Sequence, residues 1–235
     1  MGNNIISKIQ EELKENIDLE YKKGACNFFK EKINPMGVRT PTVRKISAKY
    51  FSEVKDLGKK NIFVLCEKLL TGYDEEKTVA FDWAYRIRKQ YTKNDFKVFE
   101  GWLKKYVSNW GACDTFCTHA FGYFIFQFTE YLVELKKWAK SKNRWLRRAS
   151  AVILIYPNRE RKYLDEAFEI ADILFNDEDD LVQKGYGWML KEISNLYPKK
   201  VFEYVMARKE NMPRTALRYA IEKLPKNYKV EAMVK

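Results

Sequence analysis

Apolar and polar residues alternate along this chain with the period of an α-helix. Residues 1–14 open the series, with Ile5, Ile6, Ile9 and Leu13 on one side. Further amphipathic segments follow at 42–50, 60–70, 75–90, 95–104, 112–126, 130–140, 144–155, 162–174, 181–196, 198–209 and 214–224. Turn signals fall between them: Thr71-Gly72, Thr92-Lys93-Asn94, Tyr156-Pro157-Asn158, Asn176-Asp177 and Tyr197-Pro198. The pattern predicts an all-α protein with no β-sheet.

The segments repeat. The second helices of successive pairs are expected to start near residues 77, 112, 145, 181 and 214. A drifting period in the thirties suits stacked helix pairs, because no pair can bury its apolar face alone. Three starts look alike: Trp145-Leu146-Arg147-Arg148-Ala149, Leu181-Val182-Gln183-Lys184-Gly185 and Arg214-Thr215-Ala216-Leu217-Arg218. Each joins a basic side chain to small residues that permit close packing. The expected architecture is a curved, HEAT-like helical-repeat solenoid with a concave basic groove, built as a single domain over residues 1–235.

Charge sharpens this picture. Lys and Arg number 44 against 32 for Asp and Glu, a formal net charge of +12. Such a surplus suits a polyanion, since neutralising phosphates releases condensed counterions. Basic residues cluster at the later repeats: Lys136, Lys137, Lys140, Lys142, Arg144, Arg147 and Arg148, then Lys184, Lys191, Arg214 and Arg218. No apolar run approaches the ~20 residues that span a bilayer. A soluble, cytoplasmic monomer is expected, associated with the nucleoid if the source is bacterial. Cys26, Cys66, Cys113 and Cys117 form no CxxC pair, and reduced thiols are expected. Cys113 and Cys117 share a helical face, but His119 projects about 160° away from Cys117. Neither a metal site nor a cofactor is expected.

The stretch Ser108 to Asp114 is the richest in candidate chemistry. Trp110 and Asp114 are four residues apart and share a face if a helix begins near Asn109. A carboxylate in a helix's first turns feels the positive end of the dipole. Beside an electron-rich indole, it suits a place where positive charge is held or develops. In the segment from Asn143 to Ser150 and just beyond it, Leu146, Ala149 and Ile153 form the buried stripe. Arg148 lies away from its middle, and is expected to be free to grip a phosphate bidentately. Gly185-Tyr186-Gly187-Trp188 places two glycines in a helix interior, where each costs about 1 kcal/mol relative to alanine. Close approach by another backbone or a ligand is the expected reason.

In order and spacing, these motifs resemble the AlkD-type DNA glycosylases of the HEAT-like DNA alkylation repair family. The resemblance runs from the N-terminal helices almost to the end of the chain. It is strongest at Gly37-Val38-Arg39-Thr40-Pro41-Thr42-Val43-Arg44, at Trp110 to Asp114, at Trp145 to Ala149 and at Gln183 to Trp188. It implies that Trp110, Trp188 and Asp114 surround the sugar of a damaged nucleotide and that Arg148 helps hold the backbone. It puts further DNA contacts on Thr40 and Arg44. The family's early aromatic, usually tyrosine, falls on Phe28, with Phe29 a competing alignment. Lys184 and Lys191 complete the expected DNA-binding set.

The implied activity is hydrolysis of the N-glycosidic bond of cationic N3- or N7-alkylated purines in double-stranded DNA, with Asp114 stabilising an oxocarbenium-like sugar. No lysine in the matched site is placed for a Schiff base, so strand cleavage is not expected. The alternative is a non-catalytic HEAT-like scaffold that binds nucleic acid or a protein partner.

Overall fold

The computed structural model describes residues 2–234. Met1 and Lys235, the ends of the expected single domain, lie outside them. Among the described residues the regular elements are all helices, with no strand. They gather into two compact units, and the chain passes from one to the other between Ala120 and Phe121.

The first unit contains α1 (Gly2–Glu15), α2 (Leu19–Phe28), α3 (Thr40–Val54), α4 (Lys59–Leu70), α5 (Asp74–Arg86), α6 (Asp95–Tyr106) and α7 (Trp110–Phe116). Its centre is α5, which packs on α3, α4 and α7. Trp83 of α5 is fully buried, and its indole N–H donates to the Ser47 carbonyl at 3.0 Å. Phe81 stacks on Phe116 at 4.6 Å. Burying each such side chain contributes about 1.5–3 kcal/mol. Ile5, Ile9 and Leu13 of α1 are buried, as their spacing predicts.

The second unit contains α8 (Gly122–Gln127), α9 (Leu132–Trp138), α10 (Arg144–Val152), α11 (Ile155–Arg159), α12 (Leu164–Ile173), α13 (Asp180–Ser194), α14 (Pro198–Met206), α15 (Arg214–Ile221) and α16 (Lys226–Met233). Its centre is α13, packed on α10, α11, α12, α14 and α15. Tyr186 of α13 is fully buried and donates its hydroxyl to the Phe175 carbonyl at 3.2 Å.

The repeat is visible in the helix starts. The helices beginning at Asp74, Trp110, Arg144, Asp180 and Arg214 follow at the spacing read from the sequence. Three of them share a cap. Asn109 accepts from the Ala112 amide, Asn143 from the Trp145 amide and Asp179 from the Leu181 amide, at 2.8, 2.8 and 3.0 Å. Each side chain satisfies one of the donors that a helix start leaves unpaired.

Several expectations are corrected. The segment 112–126 is not one α-helix: a π-helical turn, Cys117–Phe121, separates α7 from α8. The turn read at Tyr156-Pro157-Asn158 is helical, within α11. Pro157 is third in that helix, where the amide it lacks has no intrahelical acceptor. α2 and α16 lie outside the amphipathic segments read from the sequence. Among the described residues, no helix is long and apolar enough to cross a membrane.

Candidate functional site

In the first unit the site is assembled from the acidic start of α5. Glu75 is buried, and its carboxylate accepts the amides of Met36, Gly37 and Val38 at 2.8, 2.8 and 3.0 Å. Asp74 accepts the Asn34 amide at 2.7 Å. These bonds pin the segment that leads into α3. Gly37 within it has φ +104°, and an added Cβ would lie 2.6 Å from Lys22 Cβ. Both the backbone angle and the contact with α2 call for glycine there. The pinned segment delivers Thr40 and Arg44 one turn apart on α3, both exposed. Arg44 makes no ion pair among the described residues.

Asn109 caps α7 and is itself buried, so the helix starts at Trp110 and places Trp110 and Asp114 one turn apart. Two rings lie against Trp110. Phe29 stacks on it at 4.6 Å with 12° between planes, and Phe28 meets it edge-on at 5.8 Å. Gly111 makes the stack possible, because a Cβ there would sit 3.2 Å from Phe29 Cζ. Phe28 is 70% exposed, whereas Phe29 is half-buried. The two competing aromatic positions therefore both reach Trp110, one behind the indole and one beside it in solvent. A cavity of about 360 Å³ adjoins Phe29 and is lined also by Thr40, Arg44, Gly111 and His119, among others, but not by Phe28, Trp110 or Asp114.

In the second unit, Arg148 differs from expectation. Its side chain is not free at the surface: the residue is 5% exposed, and Nη1 donates to the Leu181 carbonyl. Gly185 explains the burial. A Cβ there would lie 3.1 Å from Arg148 Cγ, so its absence opens a channel in which the arginine lies along α13. Trp188 is half-buried on the same helix. Lys184 and Lys191 are held by acids, Lys184 by Asp180 at 2.6 Å and Lys191 by Glu222 at 3.1 Å. The hydrogen bond that Lys184 donates to the Asp180 carboxylate raises the Lys184 pKa, keeping it charged. Lys136, Arg144 and Arg147 are likewise paired, with Glu169, Asp179 and Asp177.

Trp110, Asp114, Thr40, Arg44 and Phe28 thus belong to the first unit, and Arg148, Lys184, Trp188 and Lys191 to the second. Cys113 and Cys117 do share a face, with sulfurs 4.0 Å apart in the core. Among the described residues, no group of three His, Cys, Asp or Glu side chains could hold a metal ion. Sequence reasoning missed Glu75 and Glu192. The partners of Glu75 are backbone amides far away in the chain, which leave no pattern. Glu192 stands four residues after Trp188, a helical spacing that could have marked it.

Residues 9–224 match the family described as DNA alkylation repair enzyme. No curated protein matches the chain. Among solved structures, the chain is similar to one from Enterococcus faecalis described as a predicted DNA alkylation repair enzyme, with a TM-score of 0.72 and 19% sequence identity. The alignment covers 82% of this chain and 89% of that one. At this identity the likeness speaks for the helical-repeat fold.

Proposed function

Given that the chain belongs to the DNA alkylation repair enzyme family, we propose that it is a monofunctional DNA glycosylase acting on cationic N3- or N7-alkylated purines in double-stranded DNA. The observation that carries this reading is the carboxylate of Asp114 one helical turn from the Trp110 indole, whose ring is backed by Phe29.

Alkylation at N3 or N7 gives a purine a formal positive charge. When the C1′–N bond breaks, its electron pair returns to the base, which leaves neutral, and positive charge passes to the deoxyribose. The enzyme's task is then electrostatic. Asp114 stabilises the sugar cation and takes a proton from the water whose oxygen adds to C1′. Trp110 packs against the sugar and attracts it through its face, and the family resemblance gives Trp188 the same role. An ion pair at ~4 Å and an effective dielectric near 20 contributes about 4 kcal/mol, up to roughly a thousandfold in rate. Each ring contributes about 0.5–2 kcal/mol. Asp114 therefore dominates. Phe28, Thr40, Arg44, Lys184 and Lys191 contact the DNA, and the product is an abasic site in an uncut strand.

The test is release of 7-methylguanine from methylated DNA by wild type and Asp114→Asn. The variant should bind DNA as wild type does and lose most excision, by about a hundredfold or more if the ion pair acts as reasoned. Excision by Asp114→Asn at the wild-type rate would remove the carboxylate from the mechanism. DNA binding with no base release by the wild type would identify a non-catalytic scaffold instead.

A further inference from the structure

One side chain of the second unit is engaged by three others. The Trp188 indole N–H donates to Glu192 Oε1 at 3.2 Å, one turn further along α13. Arg159 Nη2, at the end of α11, binds Glu192 Oε2 at 2.9 Å. Lys223, just beyond α15, places its ammonium 3.9 Å from Oε1. The Glu192 side chain is only 12% exposed, while Arg159 and Lys223 remain about half in solvent. Burial pushes the Glu192 carboxyl up, but the Arg159 hydrogen bond and charge, the indole N–H and the Lys223 charge together outweigh it and hold it below its ordinary value of 4.5. Glu192 is thus an anion fixed from three helical segments and aimed at the one polar atom of Trp188.

Resting on the glycosylase reading, we propose that Glu192 is the positioning residue for Trp188, setting the plane of the indole and enriching its face toward a cationic sugar. An indole has a single donor and no acceptor, so its N–H bond fixes rotation about the side-chain axis. A donor bonded to an ionised acceptor is also polarised more strongly than one bonded to a neutral group. Electron density moves from the N–H into the ring, and the negative face that attracts cations deepens. Arg159 and Lys223 keep the acceptor ionised. The guanidinium does so by a direct hydrogen bond, and the ammonium at longer range.

Two measurements separate this from a merely structural role. The first is the indole Nε1–H resonance of Trp188, assigned by its loss in Trp188→Phe. In wild type it should shift as pH falls through the depressed carboxyl pKa of Glu192, and in Glu192→Gln that response should vanish. The second is the preference for duplex DNA carrying a protonated pyrrolidine in place of one sugar over DNA carrying neutral tetrahydrofuran there. Glu192→Ala should lower that affinity ratio about five- to tenfold, equivalent to about 1–1.4 kcal/mol. Affinity for the neutral analogue should stay within about twofold, and Glu192→Gln, which still accepts the N–H but lacks charge, should fall between. An indole resonance indifferent to pH and to Glu192→Gln, or an unchanged ratio in Glu192→Ala, would overturn the proposal. Neither readout requires turnover. A wild-type protein that releases no base yet shows both effects therefore supports the role of Glu192, while the glycosylase reading fails.

Discussion

At Gly187, α13 and α15 come so close that an added Cβ would lie 2.7 Å from Tyr219 Cβ and 2.8 Å from the Ala216 carbonyl oxygen. Alanine in a helix interior is worth about 1 kcal/mol more than glycine, so Gly187→Ala begins with a gain. Overpacking costs roughly 1–3 kcal/mol, and here the obstacle is partly backbone and cannot rotate away. The balance should be a loss of up to about 2 kcal/mol, lowering the thermal midpoint by up to roughly 8 °C. Gly185→Ala should lose less, since its methyl meets the Arg148 side chain at 3.1 Å and Arg148 O only at 3.7 Å. Equal melting of both variants with wild type would show that the helices can separate without cost. This close approach was legible in the sequence, because paired glycines inside a helical pattern need a reason. The fate of Arg148 was not. The spacing of residues 146, 149 and 153 fixes which side of α10 faces inward, but not that a missing Cβ on α13 opens a channel for a neighbouring guanidinium.

Among the elements, α5 positions candidate site residues, since its first turn holds the segment that carries Thr40 and Arg44. The two Glu75 oxygens serve three amides, an arrangement that needs acceptors on both. Glu75→Gln keeps the shape but turns one acceptor into a donor facing donors. Leaving even one buried amide unsatisfied costs about 1–3 kcal/mol, so the variant should be destabilised by at least that much. Hydrogen exchange should quicken at residues 36–38 before it does in α5 itself, and unchanged protection there would mean that the segment is held by something else. The long amphipathic helices could be read directly because each has a buried stripe. α2 has no buried residue and α16 only Ala232, so neither builds a buried stripe of the kind that marks the longer helices. The π turn escaped for a different reason: the apolar run of 112–126 continues through it, with Cys117, Ala120 and Phe121 all buried.

Over the whole molecule the charge surplus was plain from the sequence, but its distribution among partners was not. The formal charge of +12 does not mean that each lysine waits for a phosphate. Lys184 and Lys191 are already held by Asp180 and Glu222, whose side chains are more than half exposed. Such pairs are worth only about 0–1 kcal/mol each, so a DNA phosphate can replace the carboxylate at small cost. Removing the acid should remove that cost altogether. Asp180→Asn and Glu222→Gln should each tighten DNA binding, by up to roughly fivefold at low salt. Where the freed lysine gains a phosphate it did not hold before, log K against log salt should steepen by about one unit. The control is Glu203→Gln, which makes the same charge change beside Lys199, a residue outside the proposed DNA-binding set. If the effect were only the added net charge, all three variants would tighten binding alike. If Lys184 and Lys191 face the phosphates, the first two should exceed the third, and the difference should shrink as salt rises. Equal behaviour of the three across a salt titration would take both lysines out of the proposed interface and leave it to Phe28, Thr40 and Arg44.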